Sequence, residues 1–173
     1  MFSYLYNILF GSYKNNLIRE EYKGDIFNNI RQGKGELKVY ENRKILEEYK
    51  GEFVNNKKEG YGELIKEGLY YKGMFKNDKM EGEGYLELKH KDEFGNHTEI
   101  YNGEFFNNLK HGRGKLITKM QDNSFKTICT IYVGQFVSGY RHGEGELITD
   151  KNITQGIWLN DNIMKLNTKV IQI

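Results

Sequence analysis

Cysteine, proline, long apolar runs and a dominant charge are all missing or scarce in this 173-residue chain. With Cys129 alone, no intrachain disulfide can form and no thiolate cluster can hold a metal, so a reducing compartment is expected rather than secretion. The 26 Lys and Arg nearly balance the 24 Asp and Glu, for a net charge of +2. A dedicated nucleic-acid binder would carry a dominant basic stripe, so no nucleic acid is expected as a partner. The N-terminal MFSYLYNILFG is apolar but too short to span a bilayer, and it lacks the basic region and cleavage site of a signal peptide. Phe2 does not permit N-myristoylation, and the C-terminus has no prenylation cysteine. A cytoplasmic location is the expectation. The absence of proline, alongside abundant Lys, Asn and Ile, reads as compositional bias and excludes no function.

Glycine, by contrast, is plentiful and periodic. The stretch Tyr49 to Gly62 places Tyr49, Gly51 and Phe53 at alternate positions, passes Asn55 and Asn56, and closes on Gly60 and Gly62. Alternation with a period of two on either side of an Asn-Asn pair predicts a β-hairpin. The same spacing recurs at Tyr71, Tyr101 and Tyr132, and earlier at Tyr22, where Ile26 stands in place of Phe. A truncated copy begins near Thr154, with Gly156 and Trp158. Fifteen of the twenty glycines occupy the motif positions of the five full copies.

This pattern, Y-x-G-x-F, six residues, then G-x-G, resembles the MORN repeat family over residues 22 to 160. The repeats predict an all-β fold, an elongated single-layer antiparallel sheet of stacked β-hairpins, each unit touching its neighbours only. Eleven strands at about 4.8 Å each give a sheet roughly 50 Å long. Residues 1–21 are expected to cap or anchor the array, through Phe2, Leu5, Tyr6 and Leu9 at helical spacing. Residues 161–173 are expected to pack back as a C-terminal cap. Extra residues in three of the inter-repeat steps predict longer hairpins or loops along one edge, with charged residues such as Lys89, Lys91 and Asp92 in exposed loops.

The pleat sends the motif Tyr, Gly and Phe to one face, with the return-strand glycines and the leucine after them. The rings are expected to lie over the bare backbone of the glycines. A single layer offers nothing further to cover that face, so an exposed aromatic strip is expected to bind a protein partner. Its residues are Tyr22, Ile26, Tyr49, Phe53, Tyr71, Phe75, Tyr101, Phe105, Tyr132, Phe136 and Trp158. The opposite face alternates charges and is read as solvated. Tip pairs Asn28-Asn29, Asn55-Asn56, Asn77-Asp78, Asn107-Asn108 and Ser138-Gly139 suit positive φ.

Arg31, Lys57, Lys58, Lys79, Lys110 and Arg141 recur beside these tips. As a row they would attract an anionic membrane surface, at about 1 kcal/mol per cation. The family name records an early proposal of membrane association, and MORN arrays are known as protein-binding scaffolds. The resemblance therefore implies a scaffold in a cytoskeletal or cortical assembly, with a phospholipid tether as the alternative. Self-association through an open sheet end is also expected. Of the four histidines, His90, His97, His111 and His142, the last two share one repeat position; the sequence has no H-x-x-x-H and no Cys/His cluster, and no metal or other cofactor is expected. The G-x-G elements belong to hairpins rather than strand-to-helix turns, so they are poor phosphate cradles, and no enzyme signature is present.

Overall fold

The computed structural model describes residues 17–164 and 168–173; the N-terminal segment around Phe2 to Phe10 lies outside them. Among the described residues there is no helix, only one open antiparallel sheet. Its strands run in chain order: β1 Ile18–Phe27, β2 Ile30–Glu41, β3 Lys44–Val54, β4 Lys57–Lys66, β5 Leu69–Lys76 and β6 Lys79–Asp92. The second half contains β7 Gly95–Phe106, β8 Leu109–Asp122, β9 Thr127–Val137, β10 Tyr140–Ile148, β11 Asn152–Leu159 and β12 Asn162–Ile163. The last strand, β13 Lys169–Gln172, folds back to pair with β11.

The turns are short because the predicted tip residues take up left-handed geometry, as in Asn55 (φ 50°) and Asn56 (φ 66°). Asn160 and Asp161 do the same at φ 47° and 66°. The truncated sixth copy is therefore also a hairpin, with β12 as its two-residue return strand. On the opposite edge the β6–β7 hairpin is longer, as expected, but Lys89, Lys91 and Asp92 belong to β6 and not to a loop, since that strand pairs with β7 as far as Asp92 and Gly95.

Register organises everything else. Gly24, Gly35, Gly51, Gly62, Gly73, Gly84, Gly103, Gly114, Gly134, Gly145 and Gly156 face one another in turn, a row of bare backbone crossing β1 to β11. Tyrosines lie on this row. A methyl group at Gly84 would sit 2.5 Å from the Tyr71 hydroxyl and 2.6 Å from its ring.

The first glycine of each G-x-G has a different job. Gly60 has φ +60°, and a methyl group there would strike the Glu52 carboxylate, not a ring. It sits where the β3–β4 register shifts, beyond the Gly51–Gly62 pair. Such a bulge bends its strand. The bend is visible in the tyrosines: the Tyr49 hydroxyl donates to the carbonyl of Glu52, three residues along the same strand, at 3.0 Å. A straight strand would carry that carbonyl about 10 Å away along its axis. Tyr22, Tyr71, Tyr101 and Tyr132 repeat the bond to Asp25, Met74, Glu104 and Gln135.

Candidate functional site

The ring-bearing face is where the sequence placed a binding strip, and its rings form a ladder. Tyr22, Phe53, Tyr49, Phe75, Tyr71, Phe105, Tyr101, Phe136, Tyr132 and Trp158 follow one another edge to face, with centroids 5.0–5.3 Å apart. Such contacts contribute about 0.5–1.5 kcal/mol each beyond area burial. Each phenylalanine is wedged between the tyrosine of its own repeat and that of the preceding one. Ile26, in the first full copy, has no preceding tyrosine among the described residues and stays 62% exposed.

Exposure of the strip is the first expectation that needs correcting. From Tyr49 to Trp158 the ladder residues are at most 4% exposed, although no second layer covers them. The bent hairpins bring the tips part-way over the rings, and a roof of side chains from two repeat positions finishes the burial. Those positions are two residues before each tyrosine and nine after it. They hold Glu20 with Arg31, Glu47 with Lys58, Leu69 with Met80, Glu99 with Lys110, and Thr130 with Arg141. Arg31 binds Glu20 at 2.6 Å and Lys110 binds Glu99 at 2.6 Å. Lys58 binds Glu47, which also takes Lys66 at 2.7 Å. Arg141, facing Thr130 instead of an acid, turns to Asp161 at 2.9 Å. The third repeat replaces both partners by apolar residues, and Leu69 and Met80 pack on the core.

The same geometry corrects the basic row. Four of its six members, Arg31, Lys58, Lys110 and Arg141, lie on the roof with a carboxylate partner each. Three stand over rings: Arg31 over Tyr22, Lys58 over Tyr49, and Arg141 over both Tyr132 and Trp158. Lys57 and Lys79 alone remain at the tips, where they donate to the side-chain carbonyls of Asn77 and Asn107. The row is therefore largely neutralised.

Electrostatics follow burial. Desolvation pushes the Tyr132 phenol up to about 12, and Tyr49, Tyr71 and Tyr101 higher still. Burial also pushes the Glu47 carboxyl up, but Lys58 and Lys66 outweigh it and hold the group below its ordinary range. These shifts belong to a packed core with a charged cover; none of them poises a group for catalysis near neutral pH.

Several features escaped the sequence reading. The second residue of a tip clamps the hairpin before it: Asp78 donates its N–H to the Lys58 carbonyl at 3.0 Å and accepts the Lys58 N–H on its side chain at 2.8 Å. Asn56, Asn108 and Asp161 clamp Arg31, Met80 and Arg141 in the same way. Gly139 has no side chain and makes only the backbone half, to Lys110. The face read as merely solvated carries exposed apolar residues on consecutive tips: Phe106, Leu109, Val137, Tyr140 and Leu159, each 40–52% exposed. Their signal was present, since each stands next to a ring-face residue and so must point away from it. Finally, His90 and Asp92 at the end of β6 stand together with His97 near the start of β7, a grouping of possible ligand atoms that sequence spacing did not single out.

No curated protein matches this sequence. A family model for the MORN repeat does match, over residues 22–38, 49–67, 71–87, 101–122 and 132–151, which together make up more than half of the chain. The matched segments carry the tyrosines, the paired glycines and the bends described above, and the chain belongs to the MORN repeat family.

Proposed function

We propose that this protein is a non-enzymatic scaffold that holds a protein partner along its array of hairpins, in a cytoskeletal or cortical assembly. The observation that carries the reading is the apolar strip on the outer face of the last tips. Phe106 pairs with Leu109 and Val137 with Tyr140 across their turns, and Leu159 continues the line. Exposed aromatic and aliphatic residues grouped on one side of a protein are what a protein interface uses for its central contacts. The partner meets this strip and the charged roof rather than the ring faces, which are already consumed in holding the sheet. Tyr22 and Ile26, at the less covered N-terminal end of the ladder, extend the available surface on the inner face.

The test is affinity capture with a Phe106→Glu, Tyr140→Glu double variant, beside the wild type. Both sites are exposed, so circular dichroism should report an unchanged sheet while the specific partners are lost. Retention of every partner by a folded double variant overturns the reading. Neither Tyr71→Ala nor Phe105→Ala would serve here, because each opens the core.

The membrane alternative draws little from the geometry. Four of the six cations are paired, and among the described residues no helix is long and apolar enough to cross a membrane. Flotation of the full chain with vesicles rich in phosphatidylserine should show at most weak, salt-sensitive binding.

A further inference from the structure

We propose that His90, Asp92 and His97 form a binding site for a borderline divalent transition-metal ion of the zinc class. Register brings the three residues together. His90 and His97 are direct cross-strand partners on β6 and β7, and Asp92 lies two residues beyond His90, so all three side chains share one face. Lys89 and Lys91 alternate onto the opposite face, which keeps their charges from the site.

The two imidazoles stand parallel, with centroids 4.6 Å apart and planes 3° from one another. One ligand atom from each of the three residues lies within 4.8 Å of the other two. Ligands bound tetrahedrally at about 2.1 Å lie about 3.4 Å apart, within reach of small side-chain rotations from this arrangement. His97 Nε2 is already 3.1 Å from Asp92 Oδ1.

The carboxylate is also held in place. Its Oδ1 accepts the backbone N–H of Phe94 at 2.8 Å and of Gly95 at 3.2 Å, leaving Oδ2 for an ion. Opposite Asp92 stands Gly95, where any Cβ would run into the Gln121 carbonyl, so no side chain crowds that side. Two imidazoles and one carboxylate suit zinc, copper or nickel rather than the oxygen-seeking calcium or magnesium. His90 and Asp92 are exposed, so a fourth position opens to water or to a donor from another molecule.

The test uses the full chain freed of metal by chelation and titrated with zinc chloride in a calorimeter. About one zinc ion per chain should bind, and cobalt in its place should give the visible absorption of a tetrahedral site. His97→Ala and Asp92→Asn should each weaken binding by about tenfold or more, whereas His111→Ala should not. Asp92→Asn keeps the oxygen that caps the turn, and equal melting curves in chelator show that the variants still fold. No stoichiometric heat with the wild type, or the same affinity in His97→Ala, overturns the proposal.

Discussion

Replacing Glu47 by leucine and Lys58 by methionine would give the second repeat the apolar pair that the third already carries at Leu69 and Met80. The side chains of Lys58 and Glu47 are only 11% and 14% exposed, so neither charge is well solvated when left alone. Breaking a buried pair from one side costs several kcal/mol, while replacing both partners by apolar groups of similar size is often neutral. The two single variants should differ. Glu47→Leu strands Lys58 under the roof and should cost about 2–3 kcal/mol. Lys58→Met leaves Glu47 still bound to Lys66 at 2.7 Å and should cost only about 1 kcal/mol. The double variant should return to within about 1 kcal/mol of the wild type, a coupling of about 3 kcal/mol. Urea unfolding followed by circular dichroism reads all four proteins, with slopes compared because a repeat array need not unfold in one step. A double variant as unstable as Glu47→Leu would refute the reasoning, since the roof would then depend on charge and not on cover. Acid gives an independent check. The Glu47 carboxyl is held below its unfolded value, so its contribution is present above that value and is lost as pH falls through the folded one. The double variant should lack that part of the acid sensitivity.

Gly139→Asn would complete the clamp on Lys110 with a side-chain oxygen, a gain of about 1 kcal/mol, but a side chain at φ +90° is strained although the space around it is open; thermal melting should therefore place the variant within about 0.5 kcal/mol of the wild type. Gly84→Ala should cost about 3 kcal/mol or more, because the added methyl meets the Tyr71 ring and cannot be accommodated without moving it; the urea midpoint reports the loss. The tyrosine core sets an alkaline limit. Tyr132 rises from 10.0 to about 12, so the folded state keeps protons that the unfolded chain gives up. That stability is fully present below pH 10 and is lost as pH rises through the folded value. Ultraviolet titration should show the buried phenols ionising together with loss of the sheet, and separate ionisation of a folded protein would contradict their burial.

The repeat, its phase and its turns were legible without coordinates because they are local. Tyr49, Gly51 and Phe53 alternate, the Asn-Asn pair takes the backbone only a few residues accept, and five copies leave one stacked-hairpin architecture. Period-two alternation also fixed the face each residue shares. What it could not fix was the bend. The bulge leaves two extra residues on β4, since Gly51 faces Gly62 while Glu52 faces Glu59, and whether Gly60 lies flat under a ring or turns left-handed there depends on the strand paired with it. That bend converted an expected exposed strip into a buried ladder, and it brought Lys58 and Glu47 together from eleven residues apart. The clamp from Asp78 to Lys58 and the cross-strand meeting of His90 with His97 likewise depend on which backbone atoms stand opposite one another. Sequence spacing determines which side of a strand a group occupies; only the packed sheet decides what then covers it.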